Sequence, residues 1–294
     1  MIVVTAPIGL IGHQVLDNLL DSFEPIRVIA RDPSHLPAHT RERIEVVQGS
    51  HGDRDVVTRA FAGADSVFWL VPPDPRAGSI ESVYVDFTRP ACEAFKSQGV
   101  KRVVGISTLG RGTPWAAHAG LVTASLAMDD LIASTGVSYR ALTMPSFMDN
   151  LLRQVESIKK EGLFSLPISG GLKQPNCATR DIAAVAARLL LDHSWSGVES
   201  RPVLGPEDLS YNDMARIMSE VLGTTVRFQQ ITGEAFKARL LARGMSEAMA
   251  QGYLDMWVAY DQGLDTAEPR TPESTTPTSF RQWCEDVLSP AVLV

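Results

Sequence analysis

Three small residues near the start of the chain have the spacing of a turn that binds phosphate. In the stretch VVTAPIGLIG, two residues separate Ala6 from Gly9 and two more separate Gly9 from Gly12. A turn of this kind between a strand and a helix lets backbone N–H groups approach a pyrophosphate, since glycine has no Cβ to block the approach. Alanine at the first position is expected to need a negative φ, and Pro7 lacks an N–H donor. The stretch predicts dinucleotide binding; the alternative is a purely structural turn.

A basic residue follows where the adenosine ribose is recognised. Arg31 lies 19 residues after Gly12, at the end of a predicted strand, and the ribose-binding residue of such folds lies about 20 residues on. An acidic residue there binds a free 2′-hydroxyl, whereas arginine suits a 2′-phosphate. Arg31 therefore favours NADP(H) over NAD(H). The alternative is a solvent-facing Arg31 paired with Asp32.

Short apolar strands alternate with helices through the first half of the chain and must position these residues. The predicted strands are MIVVTA, IRVIARD, IEVVQG, SVFWLVPP, KRVVGIST and SYRALTMP. Continuous apolar strands between helices indicate βαβ units and a parallel sheet covered on both faces. The sequence therefore predicts an α/β fold with a doubly wound, Rossmann-like sheet.

After Pro145 the pattern changes to helices separated by irregular stretches such as LFSLPISGGLKQPNCAT. We expect an NADP(H)-binding domain over residues 1–150, completed by roughly residues 175–205. Residues 151–174 and 206–294 are expected to form a smaller, mostly helical substrate-binding lobe. Such a lobe would lie over the strand ends, where ligands bind in open α/β sheets.

The composition is that of a globular protein without a nucleic-acid or membrane signal. The 294 residues are 45% hydrophobic and carry a net charge of -7, whereas nucleic-acid binding needs a clustered basic face. The three cysteines are far apart and odd in number, which suits a reducing compartment, and the histidine spacing supports no metal site. The N-terminal apolar stretch is too short to span a bilayer. We expect a cytoplasmic protein with a small-molecule substrate and no metal.

Several motifs resemble those of the NmrA-like group of atypical short-chain dehydrogenases. The stretches that carry the resemblance are VVTAPIGLIG, RVIARDPS, VVQGSHGDRDVVTRAFAGADSVFWLVPP, TMPSFMDNL, TRDIAAVAARLL and VLGPEDLSYNDMARIMSEVLG. The last is similar to the festuclavine and agroclavine dehydrogenases of ergot-alkaloid pathways. The chain departs from the group at Ala6, where glycine is usual, and at Ser50, where the group often has an aspartate that contacts adenine.

Placement and resemblance together predict the binding residues. The predicted cofactor contacts are Thr5, Pro7, Gly9, Leu10, Ile11 and Gly12 at the turn, Arg31 at the 2′-phosphate, Ser50 near adenine, Leu70, Val71 and Pro72 along the cofactor, and Ser107, Met144, Pro145 and Phe147 beside the nicotinamide. The predicted substrate contacts are Trp115, Met148, Tyr253 and Trp257. Tyr253 and Trp257 belong to an apolar stripe at helical spacing, and such a stripe is more often core than pocket wall.

The catalytic pair of short-chain dehydrogenases is missing. The resemblance implies a tyrosine, a lysine four residues later and a serine at the end of the fifth strand, here Ser107. The chain has no lysine between Lys101 and Lys159 and no tyrosine between Tyr84 and Tyr139. The remaining candidate acids and bases are Ser107, His118, Asp129 and Asp149. Alternatively, His118 only caps the following helix, and Asp129 and Asp130 face water.

The missing pair restricts the chemistry. Reduction of a ketone creates an alkoxide that needs a proton donor, whereas hydride delivery to an iminium carbon leaves no anion. Enones and quinones are intermediate, since their enolates are better stabilised. We expect an NADP(H)-dependent reductase acting on an iminium or conjugated carbon of a small natural product. Two alternatives stay open: a non-redox rearrangement, cyclisation or isomerisation with NADP(H) kept bound, and an NmrA-type nucleotide-sensing regulator that binds a protein partner.

Overall fold

Strands and helices alternate along the computed structural model, which describes residues 1–293. The strands are β1 (Ile2–Thr5), β2 (Ile26–Ala30), β3 (Glu45–Gln48), β4 (Ser66–Trp69), β5 (Arg102–Thr108), β6 (Ser138–Met144), β7 (Ser146–Phe147), β8 (Leu163–Leu166), β9 (Gln174–Cys177), β10 (Val198–Pro202), β11 (Asp208–Leu209) and β12 (Arg227–Gln230). The α-helices are α1 (Leu10–Leu20), α2 (Ala38–Arg41), α3 (Arg54–Phe61), α4 (Phe87–Ser97), α5 (Leu121–Ala133), α6 (Val155–Glu161), α7 (Thr179–Leu191), α8 (Tyr211–Leu222), α9 (Gly233–Ala242), α10 (Glu247–Asp261), α11 (Phe280–Trp283) and α12 (Ser289–Leu293).

A seven-stranded sheet with the order β10-β6-β5-β4-β1-β2-β3 forms the centre of the fold. Every neighbouring pair in it is parallel. The strand order reverses between β1 and β4, so the carboxyl ends of these strands form the edge where doubly wound sheets bind ligands. The predicted doubly wound, Rossmann-like sheet is confirmed.

Helices cover both faces of this sheet. On one face α1 and α7 pack together over apolar side chains such as Val4, Val28 and Val104. On the other face α3, α4 and α5 pack over Val67 and Val103. Burial on both faces explains why these strands are continuous apolar runs rather than alternating ones. The same burial fixes the register between neighbouring strands, and this register brings the carboxyl ends of the strands to the same edge of the sheet.

A third apolar core lies in the C-terminal lobe, where α6, α8, α10 and α11 pack together. The stretch expected to be irregular contains two strands, β8 and β9. The β8 strand pairs with β12, while β9 lies between β7 and β11. Since β7 directly follows β6, these short strands join the lobe to the carboxyl edge of the sheet. The chain then returns through α7 and β10 to complete the sheet.

Candidate active site at the carboxyl edge of the sheet

The turn between β1 and α1 is closed by a residue in a left-handed conformation. Ala6 has a φ of 50°, a value that no other non-glycine residue among residues 1–293 shares in sign. The expectation that alanine would need a negative φ here is wrong. The backbone N–H of Gly9 donates to the Ala6 carbonyl oxygen at 3.0 Å, and a Cβ on Gly12 would collide with that oxygen. The closeness of the Ala6 carbonyl therefore requires glycine at position 12 and holds Ala6 in its unusual conformation.

The N-terminus of α1 is open to a ligand. Gly9 precedes the helix, and among the described residues no side chain caps it and no acidic residue lies in its first turn. Ile8 and Leu10 beside it are 41% and 47% exposed. Free N–H groups and the positive end of the helix dipole suit a phosphate. The residues present therefore fit the pyrophosphate of a dinucleotide.

Two of the predicted contacts in this region offer only main-chain atoms. The Thr5 hydroxyl donates to the Phe68 carbonyl and accepts from the Leu70 N–H, both at 2.9 Å, and it is fully buried. It thereby ties β1 to β4. The Ile11 side chain is 6% exposed and packs in the core beneath α1. The roles of both residues in cofactor binding stay predictions.

Arg31 lies at the carboxyl end of β2 with its side chain exposed. The neighbouring Asp32 carboxylate instead accepts from the N–H and the hydroxyl of Ser34, at 2.9 and 2.6 Å, and these bonds lower the pKa of Asp32. Within residues 1–293 no ion pair joins Arg31 to Asp32, which leaves the guanidinium available to an anion. Ser50 lies after β3, where its hydroxyl accepts from the Gly52 N–H at 3.2 Å.

The remaining predicted cofactor contacts follow two central strands. Leu70, Val71 and Pro72 come directly after β4, and Val71 is 8% exposed. Met144 ends β6 opposite Thr108 of β5 and is 2% exposed. Pro145 and Phe147 follow it along the same edge. These positions border the place expected for the nicotinamide, and their contacts with it stay predictions.

Ser107 belongs to a buried hydrogen-bonded cluster behind β5. Its hydroxyl donates to Asp129 Oδ2 at 2.5 Å, and the Tyr139 hydroxyl donates to Asp129 Oδ1 at 2.6 Å. Asp129 is 4% exposed, and this burial raises its pKa to about 6 in spite of the two hydrogen bonds and the nearby Arg111. Arg111 forms an ion pair with the exposed Asp130 at 2.9 Å. Asp130 thus faces water, as one alternative held, whereas Asp129 does not.

The other two candidate acids lie apart from this cluster. His118 is exposed at the end of the single turn Ala116–His118, and no side chain among residues 1–293 caps α5, so the capping alternative for His118 is wrong. Asp149 is 7% exposed, and its Oδ2 accepts from the Thr179 N–H at 2.9 Å. Asp149 therefore stabilises the start of α7.

A pocket lies where β6 passes into the lobe, and it encloses about 490 Å³ of empty space, part of which is open to solvent. The side chains around it are Ser146, Phe147, Met148, Asn150, Leu151, Gln154, Leu166, Gln174, Pro175, Asn176, Leu209, Tyr211, Met214 and Trp257. It contains the predicted Phe147, Met148 and Trp257. Trp115, which is 40% exposed, lies outside it. Tyr253 also lies outside it and packs against the apolar core on the sheet face that α3, α4 and α5 cover.

Sequence reasoning missed the polar residues of this pocket, among them Tyr211 and Asn176. Tyr211 lies in the motif LSYNDM, where the serine before it caps α8. Asn176 lies in the stretch that was expected to be irregular. Apart from Tyr211, no side chain around the pocket is ionisable among the described residues. Burial raises the pKa of Tyr211.

Residues 1–293 contain neither a metal-binding cluster nor a helix that could span a membrane. No group of three or more His, Cys, Asp or Glu side chains is placed to hold a metal ion there. Within the same residues every helix is too short or too polar to cross a membrane.

The open α1 N-terminus at the carboxyl edge of the parallel sheet defines a nucleotide-binding α/β protein. A family model described as NAD(P)H-binding matches residues 8–193. The chain belongs to this NAD(P)H-binding family, and the predicted NmrA-like, atypical short-chain dehydrogenase type is confirmed by its relatives.

Several relatives of this chain are named as reductases or dehydrogenases, and the similarity covers much of their length. The chain is 30% identical over 286 residues, 96% of each protein, to the (4-alkanoyl-5-oxo-2,5-dihydrofuran-3-yl)methyl phosphate reductase of Streptomyces griseus. It is 34% identical over 200 residues to the agroclavine dehydrogenase of Claviceps fusiformis, covering 65% of this chain and 63% of that protein. The fold is shared with an NADPH-dependent quinone oxidoreductase of Escherichia coli solved with NADPH, with a TM-score of 0.75 and 22% identity over 100% and 99% of the two chains.

Proposed function

We propose that this protein is an NADP(H)-dependent reductase that acts on an iminium or conjugated carbon, as in an enone or quinone, of a small natural product. When bound, NADPH supplies a hydride to an electron-poor carbon. The chain's own residues then have three tasks, which are to hold the cofactor, to orient the acceptor and to exclude water. The relatives named for clavine and furanone substrates support a role in secondary metabolism.

The cofactor side of the proposal rests on α1 and Arg31. The uncapped N–H groups in the first turn of α1, at Leu10 and Ile11, would hold the pyrophosphate. Arg31, exposed and without an ion-pair partner in residues 1–293, would bind the 2′-phosphate through charge-assisted hydrogen bonds. These assignments support NADPH as the preferred cofactor over NADH.

The choice of reaction rests on one observation. Within residues 1–293, no side chain around the pocket is a good proton donor. Ser107 directs its proton inward to Asp129. Within residues 1–293, Tyr211 is the only ionisable group around the pocket. Burial raises its pKa, which is the direction opposite to that which helps a proton donor. An alkoxide formed from an ordinary ketone would lack an acid. An iminium carbon needs none. The enolate formed from an enone and the phenolate formed from a quinone can take their proton from solvent.

The pocket also favours acceptors without negative charge. The Streptomyces relative is named for a phosphate-bearing substrate, but no Lys, Arg or His side chain lines this pocket within residues 1–293. The aromatic rings of Phe147, Tyr211 and Trp257 line it instead, and such rings attract cations and stack on conjugated ring systems. We therefore propose iminium or neutral conjugated substrates rather than phosphorylated ones.

The test measures NADPH consumption with acceptors of three classes. The acceptors are menadione, N-methyl-3,4-dihydroisoquinolinium and cyclohexanone, each at the same concentration, and NADPH and NADH binding are measured by calorimetry. We expect NADPH to bind more tightly than NADH and to be consumed with the quinone or the iminium but not with the ketone. Trp257→Phe should raise KM for these acceptors, while Trp195→Phe, away from the pocket, should not.

Each part of the proposal fails on a different result. Preferential consumption with cyclohexanone would contradict the acceptor class. Tight NADPH binding without consumption by any acceptor would favour the non-redox alternative. Absence of binding of either nucleotide would remove the reductase and leave a partner-binding protein.

A further inference from the structure

Asn176 is a buried amide in the pocket wall without an internal partner. Its side chain is 2% exposed, and neither its Nδ2 nor its Oδ1 has a hydrogen-bond partner within residues 1–293. Buried polar groups in folded proteins are almost always paired, and an unpaired one lowers stability. An amide that leaves both a donor and an acceptor unpaired therefore indicates a role outside the fold itself.

Two other amides of the same pocket show the contrast. Gln174 Nε2 donates to the Tyr260 carbonyl at 2.7 Å, and Gln154 Oε1 accepts from the Ser165 N–H at 2.9 Å. Both side chains are thus part of the internal hydrogen bonding that joins the pocket to its surroundings. The Asn176 amide is buried like Gln174 but does not share this role.

The backbone around Asn176 is rigidly held. Asn176 lies opposite Ser146 in the pairing of β9 with β7. On its other side its carbonyl accepts from the Gly205 N–H at 2.7 Å, and a Cβ on Gly205 would collide with the same carbonyl oxygen. The backbone that carries the amide is therefore held in place. Both amide atoms are covered in this structure, and since no hydrogen bond within residues 1–293 retains them, a ligand reaches them by a rotation of the side chain.

We propose that Asn176 determines substrate specificity by binding a ligand that carries a hydrogen-bond donor beside an acceptor, as in a cis-amide. An amide donates through its NH₂ and accepts through its carbonyl, so a lactam or imide satisfies both atoms with two parallel hydrogen bonds. The apolar and aromatic side chains around Asn176 hold the rest of a planar ring. The inference rests on the proposed function only in taking this pocket as the acceptor site.

The test uses a matched pair of ligands, 2-quinolone and N-methyl-2-quinolone, which differ in the N–H donor. Binding to the full-length protein is measured by calorimetry, with and without NADPH. We expect 2-quinolone to bind wild-type protein about tenfold more tightly than its N-methyl form, the effect of one or two net hydrogen bonds. Asn176→Leu should remove that difference while leaving the affinity for NADPH unchanged.

Thr179→Val is the matched control. Thr179 has a buried hydroxyl that, like the Asn176 amide, is unpartnered in residues 1–293, but it does not line the pocket. Both substitutions remove unpaired polar atoms and should raise Tm. Only Asn176→Leu should change the discrimination between the two quinolones.

Several results would overturn the assignment. These are equal affinities of wild-type protein for the two quinolones, binding of neither, and full discrimination by Asn176→Leu. The comparison of ligands on wild-type protein keeps the test decisive if Asn176→Leu fails to fold. Failure of wild-type protein to bind NADPH, with the quinolone preference intact, would instead contradict the proposed reductase and leave the role of Asn176 standing.

Discussion

Ser107 and Asp129 share a hydrogen bond of 2.5 Å in which the serine hydroxyl is the donor. The Tyr139 hydroxyl occupies the other carboxylate oxygen, and Gly105 lies so close to Tyr139 that a Cβ there would collide with its hydroxyl. The serine that a short-chain dehydrogenase would direct at its substrate is therefore fixed to a carboxylate between β5 and α5. Its proton is directed at Asp129, which bears on both stability and reactivity.

Asp129 should make the protein less stable as the pH rises from about 4 to about 6. Burial raises its pKa to about 6 from the ordinary 3.8. Between these values the folded protein keeps a proton that the unfolded chain releases, so the free energy of unfolding falls with rising pH and is level above. The shift corresponds to about 3 kcal/mol as an order of magnitude. Urea unfolding across this pH range measures it.

Asp129→Asn separates this effect from other titrating groups. Asp265 is also buried, which raises its pKa to about 7, and it lowers stability over the same range in both proteins. The difference in unfolding free energy between wild type and the variant therefore isolates Asp129. We expect the unfolding free energy of wild type to fall relative to that of Asp129→Asn as the pH increases. If the unfolding free energy of wild type minus that of Asp129→Asn stayed constant or rose with pH, the assignment would be contradicted.

Ser107→Ala should affect stability more than turnover. Removal of the hydroxyl leaves a buried carboxylate oxygen without its donor, at a cost of about 1–3 kcal/mol in unfolding free energy. We expect kcat with an iminium or quinone acceptor to fall less than about tenfold, whereas a general acid contributes about 10²–10⁴-fold. Denaturant unfolding and steady-state kinetics on the same preparation test both parts.

Ser134→Ala is the control for this prediction, since Ser134 directly follows α5, the helix that carries Asp129, and its hydroxyl donates to the Leu131 carbonyl. It should change neither kcat nor stability to a comparable extent. A loss in kcat of a hundredfold or more for Ser107→Ala, with NADPH affinity intact, would make Ser107 the proton donor and reopen ketone reduction.

Arg31→Ala should weaken NADPH selectively. A charge-assisted hydrogen bond to the 2′-phosphate contributes about 1–3 kcal/mol, and NADH lacks that phosphate, so its affinity should stay constant. Arg243→Ala removes an equally exposed positive charge from the loop after α9 and serves as the control for net charge. Calorimetric titration with both nucleotides measures the change. Equal weakening of NADPH and NADH would show that Arg31 acts elsewhere.

The central sheet could be predicted because burial on both faces leaves a strong pattern in each strand. β1, β2, β4, β5 and β6 are largely apolar and are buried along most of their length. β9 and β10 leave no such pattern. Residues Val198–Pro202 form an edge strand that is mostly exposed, and Gln174–Cys177 contains proline and two amides although it is fully buried. Their pairing depends on distant parts of the chain, which a local pattern does not contain.

The candidate site, like the fold, could be predicted only in part. The spacing from Gly12 to Arg31 could be used for a prediction because one helix and one strand set it, and the cofactor contacts at both residues stay predictions. The burial of Asp129 was not predictable, because Tyr139 and Ser107 reach it from two different strands. The unpartnered amide of Asn176 is likewise a property of its surroundings, because asparagine alone gives no sign of whether its hydrogen bonds are satisfied.

Ala6→Gly should stabilise the protein and leave NADPH binding intact. A left-handed alanine costs about 1–2 kcal/mol, while glycine loses about 0.4–1 kcal/mol of that gain through the greater freedom of the unfolded chain. We expect a net gain of about 0.5–1 kcal/mol in unfolding free energy by these estimates. Gly12→Ala should do the opposite, because its Cβ meets the rigid Ala6 carbonyl and pushes α1 away from the turn. Urea unfolding with and without NADPH compares the two variants, and the loss of nucleotide binding should follow Gly12→Ala alone. If Ala6→Gly also weakened NADPH, the left-handed alanine would be holding the α1 N-terminus in its binding geometry, and its conformational cost would be part of how this turn binds phosphate.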